Sequence, residues 1–187
     1  MTKTLDQLDL KILKAFTQDS RKSITQVAEE AGTTRPTVMA RINSLISEEI
    51  IDFGAQVNIA KLGLKMAVVH FEARKDQSAE EISGVLKKCP RVIQLIQLTG
   101  KAIFTALVVV EDAGTLLSCV ECMSSVLKIN INSYQRVLPL IGQYFRVKID
   151  PQKKEITPCG KDCHICLSYQ QNECVGCPSS TYYKGPL

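Results

Sequence analysis

Five cysteines are crowded into nineteen positions near the end of this 187-residue chain. The segment is Cys159-x3-Cys163-His164-x-Cys166-x7-Cys174-x2-Cys177. Thiolates favour zinc, and a Cys-x-x-Cys pair can wrap its backbone around one side of a tetrahedral ion. Because so short a segment cannot fold on buried apolar area alone, we expect a bound ion to stabilise it. The sequence therefore predicts a zinc knuckle with four ligands: Cys163, Cys166, Cys174 and Cys177.

Other ligand sets for this segment remain open. Cys159 and His164 are alternate ligands, an iron–sulfur cluster is the alternative cofactor, and unliganded or reactive thiols are a third possibility. The spacing Cys159-x3-Cys163-x2-Cys166 also occurs in radical-SAM enzymes. Those enzymes need a large barrel around the cluster, and about thirty residues remain from Cys159 onward, so we set that class aside.

Three further cysteines and one histidine have a plainer interpretation. Cys119 and Cys122 share the Cys-x-x-Cys spacing but fall inside a predicted helix. An activated pair usually begins a helix, where the dipole stabilises the thiolate, so we interpret both as packing residues, together with Cys89. His70 lies in a predicted strand among apolar neighbours and is expected to be structural or interfacial.

The sequence shows no export or membrane signal, so we expect a cytoplasmic location by default. It contains no run of eighteen apolar residues, and its first residues lack the apolar segment of a secretory signal, so we expect no membrane partner. Without export the thiols should stay reduced and available for metal or redox chemistry. The polar, proline-flanked residues 150–158 predict a linker to the cysteine segment.

Near the other end, three short amphipathic patterns predict a helix-turn-helix over about residues 23–46. Ser23 is a good N-cap for the second helix, and Gly32 can supply the left-handed residue that ends it. Thr34 can cap the third helix, whose first turn tolerates Pro36. Four apolar residues of that helix would face the first two: Val38, Ile42, Leu45 and Ile46.

The outer side of the third helix carries residues that suit phosphates and base edges: Arg35, Thr37 and Arg41. Residues that would clamp the DNA backbone are Ser23, Thr25, Gln26 and Thr34. Residues 1–60, however, hold seven Lys/Arg against eight Asp/Glu, which is no basic excess. Periodicity and charge alone leave DNA binding and a plain three-helix core equally open.

A resemblance favours DNA binding. The chain opens Leu5-Asp6-x-x-Asp9-x-x-Ile12-Leu13, and over about residues 5–141 it resembles the Lrp/AsnC (feast/famine) transcriptional regulators. Residues that match the family's helix-turn-helix and exit segment include Val27-Ala28, Gly32, Thr34, Val38, Arg41, Leu45, Ile51 and Leu62-Gly63. The resemblance implies a winged helix-turn-helix, sequence-specific control of transcription, and a middle domain that forms dimers and often octamers around amino-acid effectors.

This sequence departs from the family pattern at three places. Glu49 stands where members usually carry a helix-ending Gly, and the wing between Ile51 and Asn58 is one residue short. The family's effector loop follows its Gly with an Asp, whereas residues 100–103 read Gly-Lys-Ala-Ile, so the effector is left unknown. The tail loosely resembles cysteine-rich modules of some archaeal regulators thought to sense metals, in cysteine density alone.

Residues 64–141 alternate and repeat as strand, helix, strand, strand, helix, strand. The strands are predicted at 65–73, 91–99, 102–110 and 134–141, and the helices at 78–88 and 116–127. Gly100-Lys101 would form the hairpin turn. This order predicts a ferredoxin-like βαββαβ sandwich with both helices on one face. Because both strand faces are largely apolar, a second copy should cover the other face, giving a homodimer or higher oligomer.

The prediction is therefore an α+β chain in three parts: a winged helix-turn-helix in 1–60, a ferredoxin-like oligomerisation or effector domain in 61–150, and a linker plus cysteine-rich module in 151–187. We expect a sequence-specific regulator that binds double-stranded DNA and is not an enzyme, with a cysteine cluster that holds structural zinc or senses metal or redox state. Alternatives are an iron–sulfur or thiol redox-sensing regulator, a non-specific chromatin-type protein, and a redox enzyme. No Ser/His/Asp set, paired carboxylates or Gly-rich phosphate loop supports the last.

Overall fold

The computed structural model describes residues 4–99, 103–137, 142, 144–149 and 152–187. The chain forms two compact units, Met1–Ala55 and Gln56–Leu187, and the cysteine tail is part of the second. In the described part of the chain, no helix combines the length and the apolar character that crossing a membrane requires.

The first unit consists of three helices, each begun by a side-chain cap. They are α1 (Gln7–Gln18), α2 (Ile24–Ala31) and α3 (Arg35–Ser47). The N-caps are Asp6, Ser23 and Thr34, and Gly32 ends α2 with a φ of 70°. A glycine reaches this left-handed conformation without a Cβ clash, so the turn between α2 and α3 forms as the sequence predicted.

One apolar stripe of α3 packs on α1 and α2. Val38 and Leu45 are fully buried and Ile42 nearly so, as predicted. The prediction for Ile46 was wrong, since it is 43% exposed. At about 100° per residue, Ile46 lies about 80° around the helix from Val38, at the edge of the stripe, and it is the last residue but one of α3.

After α3 the chain has no regular structure until the second unit. Residues 48–56, all of which the structure describes, contain neither helix nor strand. The next strand, β1 (Val57–Asn58), belongs to the second unit and pairs with β6 (Tyr144–Phe145). The segment expected to form the wing therefore has no strand pairing within itself.

The second unit contains a four-stranded antiparallel sheet with two long helices. Its elements are β2 (Lys65–Glu72), α4 (Ala79–Leu86), β3 (Val92–Gln97), β4 (Ile103–Val110), α5 (Ala113–Leu127) and β5 (Asn130–Val137). The strand order is β3-β4-β2-β5. The elements follow in the predicted order, but β5 begins four residues before the predicted Tyr134. The predicted turn at Gly100-Lys101 and residues 138–141 lie outside the described residues.

The two faces of this sheet differ. Phe71 and Phe104 stack at 5.4 Å on the face that packs against α4 and α5. On the opposite face, a smaller cluster around Ile59, Met66 and Val109 covers one end. Apolar burial on the first face supplies the main core of the unit.

Candidate DNA interface and cysteine site

The exposed start of α3 presents the first group of predicted DNA-binding residues. The Thr34 hydroxyl accepts a hydrogen bond from the backbone N–H of Thr37 (3.4 Å) and lies 2.9 Å from the Thr37 hydroxyl. Arg35 follows the cap directly and is exposed. Since the first N–H groups of a helix point outward without internal partners, this end of α3 suits an anion such as a phosphate.

At the start of α2, Ser23 and Gln26 form a reciprocal capping box. The Ser23 backbone N–H donates to Gln26 Oε1 (2.8 Å), and the Gln26 backbone N–H donates to Ser23 Oγ (3.3 Å). Thr25 is exposed beside them. The geometry thus gives Ser23 and Gln26 a part in shaping α2, while their contact with DNA stays a prediction.

Arg41 lies farther along α3 and contacts α1. Its Nη1 donates to Asp6 Oδ2 (2.5 Å) and to Asp9 Oδ1 (3.2 Å). The side chain of Asp9 is only 2% exposed. The Asp9 backbone N–H and the Arg41 guanidinium hold the pKa of the Asp6 carboxyl below its ordinary value. Arg41 therefore joins two helices, a role that its position on the predicted outer face did not reveal.

The tail of the second unit is held by its own backbone hydrogen bonds. The Lys154 N–H donates to Ser179 O (3.0 Å), and the Thr181 N–H donates to Lys154 O (3.0 Å). Isolated bridges join Lys154 to Ser180 and Ile156 to Asp162. A short helix, α6 (Leu167–Gln170), lies between the cysteine pairs.

A buried arginine of the sheet-bearing region anchors this tail. Arg91, 5% exposed, donates to Glu111 Oε2 (2.6 Å), Val109 O (3.3 Å) and Gly176 O (2.5 Å). The Tyr183 hydroxyl donates to the other oxygen of Glu111 (2.5 Å). One ion pair thus links the end of the sheet to two points of the tail.

Between the tail, α5 and the end of α4 lies a cavity of about 370 Å³. All eight cysteines of the chain line it. The tail supplies Cys159, Cys163, Cys166, Cys174 and Cys177, and the sheet-bearing region supplies Cys89, Cys119 and Cys122. We call it the thiol cavity. Four predicted metal ligands and the alternate Cys159 therefore share one cavity, whereas the alternate His164 stacks on Tyr182 at 5.2 Å.

The thiols are spread around the cavity. Among the described residues, no three His, Cys, Asp or Glu side chains are grouped so as to hold a metal ion. Cys122 Sγ of α5 lies 3.9 Å from Cys159 Sγ of the tail. The four predicted zinc ligands are thus not assembled around one point, and the zinc knuckle stays a prediction.

Burial and one close contact shift the pKa values of these thiols in opposite directions. Burial raises the pKa of Cys119 and of Cys89, and raises that of Cys177 to about 12. The neighbouring Cys122 thiol, aided by the Thr157 hydroxyl, lowers the pKa of Cys159 to about 5, and the same contact raises that of Cys122. The contact between the two thiols therefore favours the thiolate of Cys159 over that of Cys122.

Sequence reasoning missed the three cysteines outside the tail. Cys119 packs in the main core, as predicted, yet it also lines the cavity, with Cys122 one turn farther along α5. A spacing of three residues places two side chains on one helix face, which was the available signal. What the sequence lacked was any sign that the tail folds back over that face.

Known proteins resemble most of this chain. Residues 5–52 match the family model described as winged helix-turn-helix DNA-binding. The HTH-type transcriptional regulator Ptr1 of Methanocaldococcus jannaschii is 30% identical over 113 residues, which are 60% of this chain and 76% of the relative. The proline dehydrogenase transcriptional activator of Rhizobium radiobacter is 30% identical over 103 residues, 53% of this chain and 66% of that protein.

Solved structures share the fold. The leucine response regulatory protein LrpA of Mycobacterium tuberculosis superposes with a TM-score of 0.66 at 19% identity, over 74% of this chain and 95% of its own. Bacillus subtilis LrpC gives 0.59 at 21% identity, over 75% and 99%. The chain belongs to the Lrp/AsnC type of helix-turn-helix transcriptional regulators, and is thus a DNA-binding regulator and not an enzyme.

Proposed function

We propose that the chain recognises specific double-stranded DNA through α3. The observation that carries this is the exposed Arg35 on the first turn of a helix whose N-terminus is capped by Thr34. Recognition helices contact base edges with their N-terminal residues, and Arg can donate two hydrogen bonds to guanine. Thr37, two residues after Arg35, is half-buried and hydrogen-bonded to Thr34, so its part is to fix the capped start of the helix.

The test is DNA binding by Arg35→Ala. Duplexes selected from a random pool by the full-length protein serve as the probe, and fluorescence anisotropy measures affinity. We expect a loss of about 1–3 kcal/mol in binding free energy. If Arg35 contacts a base, the sequence preference at that base pair should relax; if it contacts a phosphate, the affinity should depend less steeply on salt concentration. Arg74→Ala, an exposed arginine of the second unit, is the control. Unchanged affinity of the Arg35 variant would contradict the proposal.

We propose further that the sheet, as a ferredoxin-like sandwich, joins two copies through the face without helices. Val68 and Leu107 are only half-buried there, and Ile96 is 39% exposed. Next to them, His70 Nδ1 lies 2.9 Å from the Thr105 hydroxyl, which satisfies both polar groups on an apolar surface. A dimer would present two recognition helices to successive half-sites.

Val68→Lys should separate the subunits, because a lysine ammonium cannot be buried between two apolar faces without a partner. Sedimentation velocity should then show a monomer where the parent is a dimer or larger, and DNA affinity should fall with it. Gln97→Lys is the matched control, because this exposed residue of edge strand β3 pairs with Phe104 on the helix-covered face. A Val68 variant that sediments like the parent would exclude this face.

For the input of the regulator, we propose the cysteine tail, through bound metal or thiol oxidation. A solved structure from Neisseria meningitidis, 23% identical, is a complex with L-Met. In this chain, residues 100–103 read Gly-Lys-Ala-Ile and lack the acidic residue of the resembled family's effector loop. Support comes from the tail's grip on the sheet-bearing region through Arg91 and Glu111. DNA affinity should change when the full-length protein is chelated or mildly oxidised, and equal affinities would contradict this input.

A further inference from the structure

The thiol cavity is a pocket partly open to solvent, with the size of a ligand site. Clefts that bind small molecules or cofactors have volumes of about 300–1,000 Å³. Here about 370 Å³ lies between two walls, the tail on one side and α5 with the end of α4 on the other. The cavity reaches from the exposed Cys166 to the buried Cys163. Such a volume, surrounded by soft ligands, is room for a bound group.

The spacing of the thiols argues for a group larger than one ion. Four sulfurs around a tetrahedral zinc lie about 3.8 Å from each other, given a zinc–sulfur distance of about 2.3 Å. Cys122 and Cys159 are at such a separation, 3.9 Å, but they belong to opposite walls. No third ligand joins them closely enough among the described residues. All eight thiols nevertheless line the same pocket, which a bound group larger than one ion would explain.

We propose that the thiol cavity binds an iron–sulfur cluster whose cysteine ligands come from both walls, with Cys122 of α5 joining cysteines of the tail. Such a cluster contains several irons bridged by inorganic sulfide, and each iron takes its own cysteine, so the ligands lie farther apart than around zinc. Four thiolates hold one cluster, and the cavity offers eight. Nothing in this donor set requires a residue from outside the second unit.

Two cationic side chains also line the cavity, Arg91 and Lys161. A cluster with four thiolates carries net negative charge, and nearby cations and hydrogen bonds to the sulfurs set how readily it accepts an electron. Arg91 already connects the tail to Glu111. A change in cluster charge would thus be felt at the contact that holds the tail.

This inference deepens the proposed input by naming the group that binds, and it rests on the tail being that input. Its regulatory consequence follows from the two walls. A cluster with ligands on both would fix the tail to α5, and loss of the cluster would release that link. Gain or loss of the cluster would therefore change the packing of the tail on α5. Such a local change in packing can shift a two-state equilibrium that affects another site.

The experiment uses the full-length protein purified without air and reconstituted with ferrous iron and sulfide. Bound iron, acid-labile sulfide and the visible absorption spectrum are measured for the parent, for Cys122→Ser and for Cys177→Ser, one from each wall. We expect the parent to bind iron and sulfide in comparable amounts and each serine variant to lose both severalfold. His164→Ala, which alters a neighbour of Cys163 that stacks on Tyr182, should load fully.

A second measurement needs no substitution, so it stands even if a variant misfolds. Iodoacetamide alkylates thiolates, so labelling followed by mass spectrometry should modify Cys159, whose pKa is lowered, in the metal-free protein and spare it in the loaded one. Zinc bound without sulfide, no iron uptake, or a cluster that leaves Cys159 open to labelling or loads fully in Cys122→Ser would each overturn the proposal. Because the readout is bound iron and sulfide, failure of the cluster proposal can be distinguished from failure of the DNA-binding proposal.

Discussion

The three-helix unit and the cysteine tail are held together in different ways. In the helices, most side-chain hydrogen bonds are caps between residues three apart: Asp6 with Asp9, Ser23 with Gln26 and Thr34 with Thr37. In the tail, the decisive contacts join residues far apart in the chain, such as Arg91 with Gly176 and Glu111 with Tyr183. The capping contacts can be predicted from the local spacing of residues, whereas the contacts of the tail form only after the chain has folded back on the sheet-bearing region.

The largest effect should come from removing the anchor of the tail. Arg91→Ala leaves the Glu111 side chain, 11% exposed, without its cation and removes a donor from Gly176 O. Breaking one side of a buried ion pair costs about 3–5 kcal/mol, so urea unfolding should show a loss of that size. Limited proteolysis should then cut first within 152–187.

Arg74→Ala tests whether burial decides this cost. Arg74 pairs with Asp76, but their side chains are 50% and 68% exposed. Exposed pairs contribute little, so the free energy of unfolding should change by less than about 1 kcal/mol. If both arginine variants unfolded alike, the contrast between long-range and local contacts would lose its energetic basis.

The same contrast explains what the sequence could predict. Gly32 and Thr34 mark a helix end and a helix start with residues whose chemistry is local, so the helix-turn-helix was predictable to within a residue or two. Cys119 was predicted as a core residue and is one, yet no spacing rule relates it to Cys159 or Cys177 across the cavity. Predicting a zinc knuckle from two Cys-x-x-Cys pairs assumes that the tail folds by itself. In the structure the tail also packs against α5, whose cysteines line the same cavity.

Arg41 is the exception in the first unit, since its contacts with Asp6 and Asp9 are long-range. Arg41→Ala should lower the free energy of unfolding because it leaves the buried Asp9 carboxylate with one donor fewer. Arg35→Ala should leave stability within about 0.5 kcal/mol. Chemical denaturation of both variants, beside their DNA affinities, separates helix joining from recognition.

In the Asp9→Asn background, the Arg41 substitution should cost less, since the buried charge that needs the guanidinium is gone. An Arg41→Ala protein as stable as its parent would show that the contact with α1 contributes nothing. Arg41 would then belong with Arg35 as a residue kept for DNA alone.

Two glycines of the second unit give a matched pair. A Cβ on Gly114, in the first turn of α5, would collide with the backbone carbonyl of Glu173 in the tail, whereas one on Gly84 of α4 meets open space. Gly114→Ala should cost about 1–3 kcal/mol through overpacking, and Gly84→Ala should gain about 0.5–1 kcal/mol from helix propensity. Thermal unfolding measures both, and equal signs would mean that the tail does not press on α5.

The smallest effect concerns the end of α3. Glu49 stands where the resembled family usually has Gly, and its φ is 56°. A residue with a Cβ pays about 1–2 kcal/mol in this conformation, while glycine loses about 0.5–1 kcal/mol in chain entropy, so Glu49→Gly should stabilise the protein by about 0.5–1 kcal/mol. Glu48→Gly, at a φ of −91° and with the Ser44 hydroxyl donating to Glu48 Oε1 (2.7 Å), should instead destabilise it. Opposite signs in chemical denaturation would show that the unusual Glu49 has a purely local backbone cost, of the kind that sequence alone can reveal. A destabilised Glu49→Gly would instead mean that the Glu49 side chain contributes a long-range contact, as Arg41 does.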